Sequence, residues 1–197
     1  MYDRLKAYRE SIGAPWFVKP WDLNLVIARS GQVGAWDDLI FVACMDDGGR
    51  RVVERLTATG DAWEGEWAKP TNPAGCIYVL DQHVPGGLIR GEHKGRPALR
   101  QNAPFRYVRW PPDRGRVPTV AELVALPAFT GNNGTHLHNR VSNQTPAKPS
   151  TDDSEGCTVN LYYHQHSMMI ELVETQEDRH GSTVVSPTFC QRSALGI

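Results

Sequence analysis

Short apolar runs separated by polar turns dominate the chain, and this pattern predicts a strand-rich fold. The runs WDLNLVIARS, GCIYVLD and PFRYVRW each have the length and β-branched or aromatic content of a single strand. LIFVACM and RRVVERLTATG flank DDGG, a combination typical of a β-hairpin. GGLIRGEHKGRPALRQ predicts two further short strands around a turn, and STVVSPTFC and NGTHLHNR predict additional strands.

Three segments have helical rather than strand-like spacing. Residues 2–12 predict a short amphipathic helix, and residues 166–181 predict a longer one that ends at a glycine. Between them, Thr119 and Glu122 form a capping-box pair before an apolar run that ends at Pro127. Many strands and two or three short helices indicate a β-rich domain of the α+β class.

The composition is typical of one globular domain and excludes several functional classes. The chain has 197 residues, of which 40% are hydrophobic and 22% charged, with a formal net charge of −1. This balance argues against nucleic acid or an anionic membrane surface as a partner. The sequence has no apolar run approaching the roughly 18 residues of a membrane-spanning helix, so membrane insertion is not expected. MYDRLKAYRESIG lacks the features of a signal peptide, which predicts cytoplasmic synthesis.

The four cysteines differ in their sequence surroundings. Cys44, Cys76 and Cys190 lie in apolar, strand-like runs, where an isolated cysteine is usually a small buried hydrophobic residue. Cys157 instead lies where a polar, proline-bearing loop meets the apolar segment CTVNLYY. Cys157 is therefore the candidate nucleophile.

A nucleophilic cysteine needs a base, because an ordinary thiol is only a few per cent ionised at neutral pH. His138 ends a predicted strand on the other side of the loop from Cys157 and is the best candidate for that base. Gly156 allows the tight turn that would bring backbone amides to a developing oxyanion. Residues 142–153 form the longest segment without apolar periodicity and are predicted to be a substrate loop.

Two other interpretations remain open. The chain contains two His-x-His pairs, His136/His138 and His164/His166, and with Cys157 or Asp153 they predict a zinc-dependent hydrolase. Against zinc, the second pair has no HExxH context, and these histidines could equally pack, cap a helix or face solvent. A non-catalytic phage or cell-wall-binding protein is the third hypothesis. It gains support from Glu155, because a carboxylate beside a thiol raises its pKa.

The stretch THLHNR…STDDSEGC resembles the active-site signature of the L,D-transpeptidase catalytic domain (YkuD-like). The resemblance extends to a divergent phage and bacterial branch through AWDDLIFVACM, TATGDAW and GEHKGRPALRQN, and spans residues 24–160. It differs at Asn139, where glycine is usual, at Glu155, where histidine is usual, and at Val159, where arginine or asparagine is common. These departures keep the cysteine and leave the acyl acceptor open.

The resemblance implies a single catalytic domain over residues 1–197, with residues 1–20 as an N-terminal extension, folded as a mixed-sheet β-sandwich. It implies that Cys157 is the nucleophile and His138 the general base, with Ser154 and Gly156 shaping the nucleophile turn. The implied reaction is acyl transfer on peptidoglycan stem peptides through a Cys157 thioester, giving either L,D-crosslinking or carboxypeptidase or endopeptidase cleavage. It requires no metal or organic cofactor.

The same resemblance implies a set of substrate-binding residues. Two of them, His93 and Lys94, lie upstream in the HKG segment. The others lie in the predicted strand that carries the base: His136, Asn139 and Arg140. Because the chain shows no export signal, the expected route to the cell wall is release after phage-mediated lysis. The sequence does not indicate the oligomeric state.

Overall fold

The computed structural model describes residues 1–140 and 156–197, which form an α+β fold rich in strands. The helices are α1 Tyr2–Ser11, α2 Glu64–Ala68, α3 Val120–Val124 and α4 Tyr163–His180. The strands are β1 Asn24–Arg29, β2 Asp38–Met45, β3 Arg51–Thr59, β4 Cys76–Val79, β5 Gln82–His83, β6 Leu88–His93, β7 Arg96–Gln101, β8 Phe105–Trp110, β9 Phe129–Gly131, β10 Leu137–Asn139, β11 Thr158–Asn160, β12 Val184–Val185 and β13 Pro187–Gln191. Two short 3-10 helices cover Pro112–Arg114 and Arg192–Leu195.

Most of the strands belong to one large, curled, mixed sheet. Its order is β12-β6-β7-β10-β11-β3-β2-β1-β13-β5, and β4, β8 and β9 form a smaller sheet beside it. Within the described residues, the parallel pairs of the large sheet are β10 with β11 and β1 with β13, and the other pairs are antiparallel. A parallel pair needs a long crossover connection, which the 18 residues between β10 and β11 supply.

The sequence predicts most of these elements correctly. The DDGG hairpin is confirmed as β2 and β3, paired over eight residues, and the strands around HKG are confirmed as β6 and β7. The three predicted helices are confirmed as α1, α3 and α4, and α3 has the predicted capping box. The five-residue helix α2 was not predicted, because a single turn carries no helical periodicity.

The main hydrophobic core lies between the curled sheet and α4. Leu25, Ile40 and Leu56 from the long strands are fully buried there, and Met169 and Val173 from α4 pack against them. Leu137 of β10 also belongs to this core. Because side chains alternate across a strand, this burial fixes which face of β10 is turned toward α4 and which is turned away.

A buried charge cluster, which no sequence pattern indicates, lies where β1 and β3 end and β2 begins. The Arg29 guanidinium is buried, donates to the carbonyl of Val79, and lies 4.1 Å from the centroid of the Tyr78 ring. Asp38 and Asp61 are also buried, and desolvation raises the pKa of both carboxyl groups, that of Asp38 to about 6. Backbone amides and the nearby arginine partly offset this cost.

No helix in the described residues is both long and apolar enough to cross a membrane.

Candidate active site

Cys157 lies immediately before β11, at the point where the chain enters the sheet beside β10. It is partly exposed, whereas Cys44, Cys76 and Cys190 are fully buried, which confirms the predicted difference between them. The Cys157 Sγ atom lies 3.5 Å from the backbone nitrogen of His136 and 3.6 Å from the carbonyl oxygen of Gly134. The His136 N–H group is directed at the sulfur, and the thiol donates to the Gly134 carbonyl, so the backbone before β10 holds the side chain from both sides.

Gly156 sets the direction from which Cys157 enters the strand. Its φ of 138° lies in a region that side chains with a Cβ rarely adopt. A Cβ at this position would lie 2.8 Å from the Cβ of Ile77 and 2.9 Å from the Ile77 carbonyl oxygen. The residue before the candidate nucleophile therefore has to be glycine, for reasons of both conformation and space.

His138 lies on β10, and its hydrogen bond determines which ring nitrogen can act as a base. The Nδ1 atom is 2.8 Å from the carbonyl oxygen of Asn139. Because a carbonyl oxygen only accepts, Nδ1 carries the proton in the neutral ring and Nε2 is left with a lone pair. Burial lowers the pKa of His138 to about 4, so the ring is neutral at pH 7 and able to accept a proton.

His136 has the opposite tautomer. Its Nδ1 atom accepts a hydrogen bond from the backbone N–H of Gln101 at 3.1 Å, so in the neutral ring the proton lies on Nε2. Desolvation lowers the pKa of His136 to about 4, and the neighbouring His93 adds to this effect. His136 is therefore suited to donate a hydrogen bond, and of these two histidines only His138 has a basic nitrogen that bonds to no other described residue.

His93 joins these two side chains from the β6–β7 hairpin. Its ring stacks on His138 with a centroid separation of 4.6 Å and lies 5.1 Å from the centroid of His136. Burial lowers the pKa of His93 as well, with contributions from the charges of Lys94 and Arg100. Three neutral imidazoles thus lie together beside the candidate nucleophile.

The register of β10 and β11 places the candidate base near the candidate nucleophile. His138 pairs with Val159 and Leu137 with Thr158, so His136 lies opposite Cys157, and the Thr158 N–H donates to the His136 carbonyl at 2.9 Å. A residue and the neighbour two positions along from its cross-strand partner lie diagonally on the same face of the sheet. His138 is such a neighbour of Cys157.

A small cavity of about 120 Å³ opens directly on Cys157. The segments that lead into β10 and β11 form part of its wall, and Asn72 and Ile77 form another part. The segment 133–135 is held in place by Gln101, whose Oε1 accepts from the backbone N–H groups of Asn133, Gly134 and Thr135 at 2.9, 3.0 and 3.2 Å.

Gln101 is the positioning residue that sequence reasoning missed. It fixes the cavity wall with its side chain and the tautomer of His136 with its backbone N–H. A glutamine at the end of a predicted strand carries no signal of such a role, because its partners are more than 30 positions further along the chain.

The predicted substrate-binding residues do not all lie together. His93 and His136 lie beside His138, as described above. Asn139 is turned to the other face of β10, where it lines a separate cavity under α4. Arg140 is buried with its guanidinium 5.3 Å from the centroid of the Trp36 ring, and Lys94 is exposed in the β6–β7 turn with a φ of 51°.

Several predicted features lie outside the described residues. Ser154, Glu155, Asp153 and the predicted substrate loop 142–153 all belong to that part of the chain.

The second His-x-His pair lies at the start of α4 rather than on a strand. His166 is buried, accepts from the Asn160 side chain at 2.9 Å through Nδ1, and donates from Nε2 to the carbonyl of Pro97 at 2.8 Å. His164 is exposed. Both His166 nitrogens are thus occupied, and no group of three metal-binding side chains occurs within residues 1–140 and 156–197.

Comparison with protein-family models, curated proteins and solved structures finds no significant match for this chain.

Proposed function

We propose that this protein is a cysteine-dependent acyltransferase or peptidase in which Cys157 is the nucleophile and His138 the general base. The observation that carries the proposal is the hydrogen bond from His138 Nδ1 to the Asn139 carbonyl. It leaves Nε2 as a basic nitrogen on β10, which pairs with β11. Cys157 directly precedes β11 and is the one cysteine of the described residues that is not buried. A neutral, anchored imidazole near a thiol is the arrangement that nucleophilic cysteine catalysis requires.

The reaction begins with rotation of the Cys157 side chain toward His138. Nε2 takes the thiol proton, and the sulfur attacks the carbonyl carbon of a peptide bond, forming a C–S bond. Collapse of the tetrahedral intermediate breaks the C–N bond, and protonated His138 returns its proton to the departing amine. A thioester on Cys157 results. Water then releases a carboxylic acid, or a second amine forms a new peptide bond.

The substrate class follows from the resemblance of THLHNR…STDDSEGC to the L,D-transpeptidase signature. The proposed acyl donor is a peptidoglycan stem peptide, and the proposed fold is the mixed-sheet β-sandwich of that family. The mixed sheet and the parallel β10–β11 pair support this assignment, since they bring the histidine and the cysteine of the signature together. The cavity of about 120 Å³ beside Cys157 is large enough for one amino-acid side chain of the donor.

Intact-mass spectrometry of the purified protein tests the proposal. The full chain is incubated separately with a stem tetrapeptide and with a carbapenem, an electrophile that acylates cysteine enzymes of the resembled family. We expect one covalent adduct in the wild type, none in Cys157→Ala, and a rate of formation lowered about 10²–10⁴-fold in His138→Asn. Cys190→Ala is the matched control, because that cysteine is fully buried, and it should be acylated like the wild type.

The result distinguishes catalysis from binding alone. An adduct that persists in Cys157→Ala would overturn the assignment of the nucleophile. A protein that binds the tetrapeptide without ever forming an adduct would instead be a non-catalytic cell-wall-binding protein.

A further inference from the structure

A second, larger cavity lies on the opposite side of β10 from His138. Its volume is about 500 Å³, within the range of small-molecule sites, and it is enclosed by the first half of α4 and the adjoining ends of β7 and β10. Pro97 and Ile170 give it apolar walls, and Tyr163 lies at its edge with more than half of its surface exposed.

Asn139 contributes a buried polar group that finds no hydrogen-bond partner within residues 1–140 and 156–197. Its side chain is only 4% exposed, it lines the cavity, and its amide nitrogen has no hydrogen-bond partner. Its register partner Asn160 is completely buried, and the Oδ1 atom of Asn160 also lacks a partner. Buried amides without partners are uncommon in folded proteins, so the Asn139 amide that lines this cavity indicates a site for a hydrogen-bonding ligand.

Charges of both signs surround the same cavity. Arg96 has no carboxylate partner among the described residues, and its Nη1 atom donates only to the carbonyl of Arg140 at 3.2 Å. Glu171 is exposed on α4, and Glu174 is already paired with Arg90 at 3.3 Å. The cavity therefore presents one cationic and one anionic side chain that form no ion pair within the described part of the chain.

We propose that this cavity binds a small zwitterionic ligand, namely an amino acid or a short peptide with both termini free. Its carboxylate binds Arg96 and the Asn139 amide, its ammonium group binds Glu171, and its aliphatic portion packs on Pro97 and Ile170. This site is separate from the cavity at Cys157 and goes beyond the proposed acyl transfer.

The position of Asn139 couples this cavity to the candidate base. The side chain of Asn139 lines the cavity, while its backbone carbonyl accepts the hydrogen bond that orients His138. A ligand held by the Asn139 side chain therefore contacts the residue that orients the candidate catalytic imidazole. We expect ligand binding to shift the His138 ring resonances in an NMR spectrum.

Isothermal titration calorimetry with the dipeptide alanylalanine tests the proposal. The full chain carrying Cys157→Ala is used, so that binding is measured without turnover and independently of the proposed reaction. We expect one equivalent to bind, and Arg96→Gln to weaken binding by about ten-fold or more. Arg100→Gln is the matched control, since Arg100 lies on the same strand but does not line the cavity, and it should bind like the parent.

Capped dipeptides distinguish the two charged contacts. The amide-capped dipeptide lacks the carboxylate and should be insensitive to Arg96→Gln, and the N-acetylated dipeptide lacks the ammonium group and should be insensitive to Glu171→Gln. Absence of binding up to about 10 mM would overturn the proposal. Equal weakening by Arg96→Gln and Arg100→Gln would also overturn it, because it would indicate a general charge effect.

Discussion

The imidazole of His93 stacks on that of His138, with centroids 4.6 Å apart and 26° between the ring planes. The pKa values of both rings are lowered, mainly by burial. Because a proton on one ring repels a proton on the other, the stack helps to keep His138 neutral and therefore basic at physiological pH.

The first prediction concerns this stack. His93→Phe keeps an aromatic ring against His138 but removes the neighbouring titratable group, so the pKa of His138 should rise from about 4. An NMR titration of the His138 ring resonances measures the change. His164→Phe is the control, because His164 is exposed at the start of α4, and it should leave the titration unchanged. A fall in the pKa in His93→Phe would contradict the argument.

A second prediction links the pKa of His138 to stability. The folded-state pKa of about 4 lies below the unfolded value of 6.5, so between these values the unfolded chain binds the extra proton and the folded protein does not. The free energy of unfolding contributed by this group is therefore complete above about pH 6.5 and declines as the pH falls toward 4. In urea titrations at several pH values, His138→Asn should lose less stability over this interval than the wild type; an unchanged slope would refute the prediction.

The third prediction concerns thiol accessibility. Cys157 is partly exposed and the other three cysteines are buried, so iodoacetamide should modify one thiol per chain in the native protein and four in denaturant. Peptide mapping by mass spectrometry identifies the modified residue. Cys157→Ala should show no native modification, and Cys44→Ala should behave like the wild type. Rapid native modification of Cys76 or Cys190 would contradict the described burial.

The fourth prediction concerns the glycine before the nucleophile. Gly156→Ala introduces a Cβ at 2.8–2.9 Å from Ile77 in addition to an unfavourable φ, and should cost about 2–5 kcal/mol of unfolding free energy. Gly181→Ala is the matched control, since its φ is also positive but no atom lies within 4 Å of the added Cβ. That variant should lose only about 1–2 kcal/mol. Equal losses in the two variants would show that the contact with Ile77 is unimportant.

The fifth prediction separates a structural histidine from a metal ligand. His166→Phe leaves the Asn160 amide and the Pro97 carbonyl without their partner, which should cost about 1–3 kcal/mol in chemical denaturation. His164→Phe should change stability by less than about 0.5 kcal/mol, because its side chain is exposed. A stabilising effect of zinc on the wild type that is lost in His166→Phe would contradict the structural role.

Local patterns predict much of this fold because they act over a few residues. The β2–β3 hairpin follows from an Asp-Gly turn between two apolar runs, and α3 from Thr119 and Glu122. The order of strands in the large sheet was not predictable in the same way. The pairing of β1 with β13 and the burial of Arg29 depend on residues far apart in the chain, and no local period encodes them.

In the candidate site, too, local sequence predicted some features, whereas others depend on residues far apart in the chain. The sequence singled out Cys157 because of its unusual surroundings and His138 because it ends the predicted strand across the loop, but it did not show which imidazole nitrogen is basic. That depends on the Asn139 carbonyl and on the backbone N–H of Gln101. Asn139 was expected at the substrate site, yet strand alternation turns its side chain toward α4, an outcome that depends on the burial of Leu137.

The parallel pairing of β1 with β13 has a consequence for synthesis on the ribosome. Leu25 pairs with Pro187, so one edge of β1 has no partner strand until a segment 162 residues further along the chain has been translated. At about 5–20 residues per second the delay is roughly 8–30 s. During that interval the nascent β1–β2–β3 sheet has an unpaired, apolar edge, at which strands of other chains can add until β13 emerges.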